Sequence, residues 1–187
     1  MRMAVAPQPV TAVFGGSFNP PHVGHAMVAC WLRWTQGVDA VWFVPAFEHA
    51  FGKELVAWER RVAATHALAA LVNDGGRWAS VEEIESRLPR PSYTIQTLDA
   101  LREAHPGRTL RLVVGADVWG QLPMWRDHRR VIDEYAPIVV GRAGYPEVPG
   151  VPSFPSVSST EVRERVATGQ GVEGLVPRGV LEAWLGG

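Results

Sequence analysis

Four short runs in this chain are apolar almost throughout: Thr11-Ala-Val-Phe14, Val41-Trp-Phe-Val44, Leu110-Arg-Leu-Val-Val114 and Pro137-Ile-Val-Val140. A strand with one wet face alternates apolar and polar residues, so runs of this kind predict strands covered on both sides. Gly15-Gly16, Pro45 and Gly115 stop three of them, and Trp78 to Val81 is a further, shorter candidate. Between the strands the apolar period becomes helical. Helices are expected from about Gly24 to Trp34, from Trp58 to Val72 with Ala64, Leu68, Leu71 and Val72 on one side, from Pro91-Ser92 to near Pro106 with Ile95, Leu98 and Leu101, and from Asp127 to Glu134. Strands that need two covers and alternate with helices predict an α/β fold: a single Rossmann-like doubly wound domain with a mainly parallel sheet and a C-terminal helical part. The 187 residues suit one such domain, expected over residues 10–187 behind a flexible tail at 1–9. Pro146, Pro149, Pro152 and Pro155 recur at every third position, a spacing that suits polyproline II in a loop returning to the sheet.

Charge narrows the partners. Eighteen Lys and Arg against nineteen Asp and Glu give a formal net charge of -1. No global field then draws the chain to nucleic acid or to an anionic membrane, and any bound anion must be held locally. The single cysteine, Cys30, excludes an internal disulfide and a Cys-based zinc site, and a reducing cytoplasm is the expected setting. No apolar run approaches the ~20 residues that cross a bilayer, and the proline-punctuated start does not read as a signal peptide.

The segment between the first strand and the first helix is the most informative: Gly15-Gly-Ser-Phe-Asn-Pro-Pro-His22-Val-Gly24-His25. Two glycines let backbone approach a ligand, and the N-terminus of the helix directs unpaired N–H groups at it, an arrangement that favours phosphate. His22 and His25, three apart across that helix start, face the same anion and can donate hydrogen bonds to phosphoryl oxygens. Neither a P-loop string nor the dinucleotide GxGxxG is present, and His49, His66, His105 and His128 carry no metal-binding spacing. A second anion site is expected near the C-terminus, where Ser158 and Glu161 form a capping box and Thr160 and Arg163 share one face of the first helical turn. Asp117 directly follows a strand, so its carboxylate either accepts from ribose hydroxyls or caps the turn after it. Trp125 is either a stacking platform or one of several core tryptophans.

The segment from Gly15 to His25 resembles the signature of the HxGH nucleotidyltransferase superfamily, and within it the nicotinate-nucleotide adenylyltransferases. Pro91-Ser-Tyr-Thr-Ile-Gln-Thr-Leu98, Val114-Gly-Ala-Asp117, Leu122-Pro-Met-Trp125 and Val157-Ser-Ser-Thr-Glu-Val-Arg163 agree with that family in order, so the likeness spans about Val13 to Leu185. The resemblance implies adenylyl transfer from ATP to nicotinate mononucleotide in NAD synthesis, with Mg²⁺ arriving on ATP and no protein nucleophile. It implies catalytic roles for His22 and His25, and ATP or phosphate contacts for Gly15, Gly16, Ser17, Phe18, Gly24, Ser159, Thr160 and Arg163. Lys53, Thr94, Gly115, Asp117, Trp125 and Arg142 are implied for the mononucleotide. A homo-oligomer is compatible with the sequence.

One loop departs from the family pattern. Relatives carry a Pro-Pro-His-Lys-like string after the second strand, where this chain has Pro45-Ala-Phe-Glu-His-Ala-Phe-Gly-Lys53. Gly52-Lys53 is closer to nicotinamide-nucleotide adenylyltransferases, so nicotinamide mononucleotide is the alternative acceptor. Lys53 is expected to act as a mobile phosphate-binding cation, with Arg60 and Arg61 on a solvated helix face. Other readings are a different adenylyl- or cytidylyltransferase of the superfamily, or a nucleotide-binding regulatory domain without turnover.

Overall fold

The structure is a computed structural model that describes residues 7–48 and 55–186. Six strands form one parallel sheet: β1 (Val10–Gly16), β2 (Ala40–Pro45), β3 (Ala79–Val81), β4 (Thr109–Gly115), β5 (Ile138–Arg142) and β6 (Ser153–Phe154). Their spatial order is β3-β2-β1-β4-β5-β6. The helices are α1 (Val23–Thr35), α2 (Trp58–Asn73), α3 (Thr94–Ala104), a single turn α4 (Ala116–Trp119), α5 (His128–Tyr135), α6 (Ser159–Ala167) and α7 (Arg178–Leu185), with 3-10 turns at Ile84–Arg87 and Leu122–Met124. The expected α/β class and doubly wound parallel sheet are therefore present. The first six residues of the expected tail lie outside the described residues.

The apolar strands are explained by two separate cores. Along β2, Val41 and Phe43 pack with Val28 and Leu32 of α1 and with Leu68 of α2 on one side of the sheet. The intervening Trp42 and Val44 pack with Ile95, Leu98 and Leu101 of α3 on the other. β4 divides the same way, with Val113 in the first core and Leu110, Leu112 and Val114 in the second. The strand period of two thus feeds both covers. Trp184 and Val180 of α7 and Val162 of α6 complete the first core, as the expected C-terminal helical part.

Four local expectations change. The proline stretch does not run as extended polyproline II: the chain turns back where the Val151 N–H bonds the Val148 carbonyl, and Ser153–Phe154 joins the sheet as β6. α3 begins at Thr94 instead of Pro91-Ser92, because the Gln96 side chain reaches back to accept from the Tyr93 N–H at 3.0 Å and marks Tyr93 as the last non-helical residue. Leu71 is exposed although Ala64 and Leu68 on the same helix are buried. Arg61, expected on a solvated face, is 1% exposed. It sits one turn before Ala64 and Thr65 on the buried stripe of α2.

β6 approaches β5 so closely that Gly141 has no room for a side chain: a Cβ there meets the Pro152 carbonyl oxygen at 2.5 Å. That contact sets the path of the strand edge carrying Arg142. Gly141→Ala is expected to lower stability by about 1–3 kcal/mol through overpacking, measured by denaturant unfolding. A midpoint equal to that of the wild type would contradict the close approach.

Candidate active site

The strand order reverses between β1 and β4. Connections leave these neighbours in opposite directions, and a crevice opens beyond their carboxyl ends. Two cavities occupy it. The first, about 290 Å³, is lined among others by Gly15, His22, His25, Asp117, Arg142 and Ser159. The second, about 180 Å³, is lined among others by Gly16, Ala46, Glu85, Thr94, Thr97 and Trp125. Gly15 and Val113 line both, so the cavities meet at the end of β1.

The histidine pair is built by the start of α1. His22 is the residue before the helix, in extended conformation, and its ring centroid lies 3.9 Å from that of His25. Gly24 is required by this packing, since a Cβ would come within 3.0 Å of the His22 ring. The His22 backbone N–H donates to His25 Nδ1 at 3.1 Å. That bond makes Nδ1 the acceptor, so the neutral ring carries its proton on Nε2, where it remains a donor. Burial and the nearby Arg142 guanidinium lower the His22 pKa to about 4. Burial, His22 and Arg142 hold His25 well below the usual histidine range. Both rings are thus neutral near pH 7 with no anion bound, and an arriving phosphate favours their charged forms. The buried His22 Nδ1 has no hydrogen-bond partner among the described residues.

Arg142, at the end of β5, donates to Asp117 Oδ2 at 2.7 Å. Gly115 precedes that carboxylate, and a Cβ on it would collide with Asp117. Gly115, Asp117 and Arg142 had been grouped with Trp125 and Thr94 in one expected subsite. They instead line the first cavity beside the histidines, while Thr94 and Trp125 line the second.

The second expected anion site falls at the start of α6, where the side chains are already paired with other parts of the chain. Ser158 Oγ accepts from the Glu161 N–H at 3.1 Å, but the Glu161 carboxylate turns to Arg165 at 2.8 Å, so only half of the capping box closes. Ser159 Oγ donates to the Pro20 carbonyl at 2.8 Å. Arg163 donates to the Asn19 carbonyl at 2.6 Å and to Thr160 Oγ1 at 3.3 Å. These side chains tie α6 to the loop after β1, and the first N–H groups of α6 have no carbonyl partner within the helix. Thr160 and Arg163, like Ser17 and Phe18, line neither of the two cavities. The Phe18 ring is buried against Phe43 and His25, with centroids 5.7 and 4.9 Å away, and supports the histidine from behind. Lys53 lies outside the described residues.

Sequence reasoning missed Glu85 and Thr97 and misplaced Arg61. For Arg61 a signal existed, a cation on the apolar stripe of α2. For Glu85 there was none, because its partners come from other elements. Among the described residues no group of three or more His, Cys, Asp or Glu could hold a metal ion, and no helix is long and apolar enough to cross a membrane.

A doubly wound sheet with a histidine pair at its switch point and a helix N-terminus across from it defines a nucleotidyltransferase, and a family model described as cytidylyltransferase-like matches residues 13–165. The "Probable nicotinate-nucleotide adenylyltransferase" of Anaeromyxobacter dehalogenans (strain 2CP-C) is 46% identical over 170 residues, 91% of this chain and 90% of that protein. The protein of the same description from Myxococcus xanthus (strain DK1622) is 39% identical, over 89% of this chain and 86% of its own. The chain belongs to the cytidylyltransferase-like family and, within it, to the nicotinate-nucleotide adenylyltransferases. Its fold matches that of Plasmodium falciparum nicotinic acid mononucleotide adenylyltransferase complexed with NaAD, with a TM-score of 0.76 at 17% identity over 95% of each chain.

The low histidine pKa values have a sign. Free histidine titrates near 6.5 and folded His22 near 4, so protonation favours the unfolded chain. His22 has no effect on stability above about pH 6.5 and removes roughly 3 kcal/mol as pH falls from about 6.5 to about 4. The nucleotide-free wild type should therefore lose stability over that window more steeply than His22→Gln, measured by urea unfolding at each pH. Parallel curves would show that His22 is not held neutral.

Proposed function

We propose that the protein transfers the adenylyl group of ATP to nicotinate mononucleotide, giving nicotinate adenine dinucleotide and pyrophosphate. The observation that carries this reading is the meeting of two cavities over Gly15, one lined by the histidine pair and one by Trp125. Two nucleotides lying in them bring their phosphates together at that glycine. The names of the relatives support the same reading.

ATP is assigned to the first cavity, with its phosphates between His22, His25 and the N-terminus of α6, and with Asp117 on the ribose hydroxyls. Arg142, expected on the mononucleotide, is reassigned here to the ATP phosphates, since it lines the first cavity. The mononucleotide is assigned to the second cavity, with its pyridine ring against Trp125 and Thr94 beside it. An oxygen of its 5′-phosphate attacks the α-phosphorus of ATP. The new P–O bond forms as the bond from the α-phosphorus to the bridging oxygen breaks, and pyrophosphate leaves with that electron pair. Catalysis then consists of alignment and of donors aimed at the charge that develops. His25 Nε2–H and the glycine-rich backbone supply donors without any covalent step.

The donors present do not build a resident metal site, as Asp117 is already paired with Arg142. Mg²⁺ is assigned to ATP itself, held by phosphate oxygens and water as part of the substrate. The cytoplasm is the setting in which these substrates and a free thiol fit together.

Wild-type protein incubated with Mg-ATP and, separately, nicotinate mononucleotide, nicotinamide mononucleotide or phosphopantetheine should release pyrophosphate fastest with the first. Silence with all three would overturn the reading. His25→Ala is expected to lose about 10²–10³ in turnover with its unfolding midpoint near wild type; full turnover would remove His25 from the mechanism. A Cβ at Gly15 meets nothing within 4 Å. Gly15→Val should therefore fold normally and yet lose at least ~10²-fold activity by occupying the junction of the two cavities. An active Gly15→Val would place the chemistry elsewhere.

A further inference from the structure

Arg61 reaches from the buried side of α2 to the loops that follow β1 and β2 and donates only to backbone carbonyls. Nε donates to the Val56 carbonyl at 3.0 Å, Nη1 to those of Ser17 at 2.9 Å and Ala46 at 2.7 Å, and Nη2 to that of Phe47 at 3.1 Å. Glu85, in the 3-10 turn before α3, collects three donors. Its Oε1 accepts from Thr97 Oγ1 at 2.5 Å, and its Oε2 accepts from Ser92 Oγ at 3.0 Å and from the Phe47 N–H at 3.3 Å.

These lists intersect at one peptide. The bond between Ala46 and Phe47 has its carbonyl on the Arg61 cation and its N–H on the Glu85 carboxylate. The peptide dipole lies along the field between the two charges, so rotating that plane would turn both of its ends against the charges that hold them. Outside it, the Phe47 ring stacks near Trp58 and lies under the Arg90 guanidinium, 4.1 Å from its centroid. On its inner side, the Ala46 N–H donates to the Gly16 carbonyl at 2.8 Å. Ala46, Glu85 and Thr97 all line the second cavity. The charged pair therefore fixes the wall of that cavity and joins it to the glycine strip at which the two cavities meet.

We propose that Glu85 is a positioning residue for the acceptor nucleotide: through the Ala46–Phe47 peptide and the Ser92 and Thr97 hydroxyls it presets the second cavity, with Arg61 holding the opposite end of the same peptide. The proposal rests on the adenylyl-transfer reading for what binds there. Glu85 touches the second cavity and not the first, so its effect falls on one substrate. Arg61 also holds the Ser17 carbonyl, in the loop that leads from Gly16 to the histidine pair, so its effect reaches the histidine side as well. A pre-set wall spares the ligand the ordering of that segment on binding.

Glu85→Gln keeps the shape but must turn an NH₂ toward at least one of the three donors. It is expected to raise KM for nicotinate mononucleotide about tenfold, leave KM for ATP within about twofold, and speed amide exchange at Phe47 without speeding it across the core strands. Ser92→Ala removes a single donor from a partly exposed residue and should move the same two quantities in the same direction, by about threefold. Arg61→Lys keeps charge without the planar fork and should raise KM for both substrates. In the Glu85→Gln/Arg61→Lys double variant, the mononucleotide KM should rise by less than the product of the single effects, since both act on one peptide. Equal increases in both KM values for Glu85→Gln together with a general loss of stability would make Glu85 merely structural and overturn the proposal, as would unchanged KM and unchanged exchange in both Glu85→Gln and Ser92→Ala. A wild type that turns over none of the mononucleotides would sink the functional reading alone. Exchange at Phe47 in Glu85→Gln would then decide the positioning role, its persistence at the wild-type rate refuting it.

Discussion

Two neighbouring parallel strands, β1 and β4, send their connections in opposite directions, and neither connection can fill the space beyond their carboxyl ends. Every feature of the site follows from that opening. The loop after β1 must pass beneath it before entering α1, which puts backbone, a helix N-terminus and two histidines on one wall. The chain after β4 turns at once into α4 and carries Asp117 to the same wall, while β5 ends there with Arg142. α6 is brought back across the opening by Ser159 and Arg163, which bond the Pro20 and Asn19 carbonyls some 140 residues away in sequence.

The electrostatics are local, as a chain of net charge -1 requires. Near neutral pH the histidines lie uncharged against Arg142, and Arg142 is balanced by Asp117. The site is consequently close to neutral without nucleotide, and it gains positive character when a polyphosphate favours the protonated rings. Arg61 is the exception, a cation buried among carbonyl oxygens, with burial lowering its pKa. Its hydrogen bonds hold a fixed positive charge against the Ser17 carbonyl, next to Gly16. No basic surface is needed for such a protein to bind a triphosphate.

Much of this was legible in the sequence because it is local. The apolar runs identified β1, β2, β4 and β5, though not the two-residue β6, the glycines that end β1 and β4 located the loops, and His22, Gly24 and His25 stood in one short string. What was not legible depends on meetings between distant segments. Glu85 accepts from Phe47, 38 residues away, and from Thr97 in the next helix. No periodicity marks such a carboxylate. Arg61 did carry a mark, its place on the stripe of Ala64 and Leu68, but solvated arginines are so common that the mark alone does not single out a buried one. The division between subsites was also hidden. Gly115, Asp117 and Arg142 lie at or just past the carboxyl ends of strands, and only the sheet order puts them on the histidine side of the crevice.

The account's central claim is that this fold aligns two phosphates over Gly15 and lets them react directly. The stereochemical course at the α-phosphorus tests it most directly. With ATP carrying a chiral α-phosphorothioate and nicotinate mononucleotide as acceptor, a single in-line displacement predicts a dinucleotide with inverted configuration at phosphorus. Retention would mean two displacements through a covalent adenylyl-protein, with one of the histidines as the nucleophile, and would contradict the account.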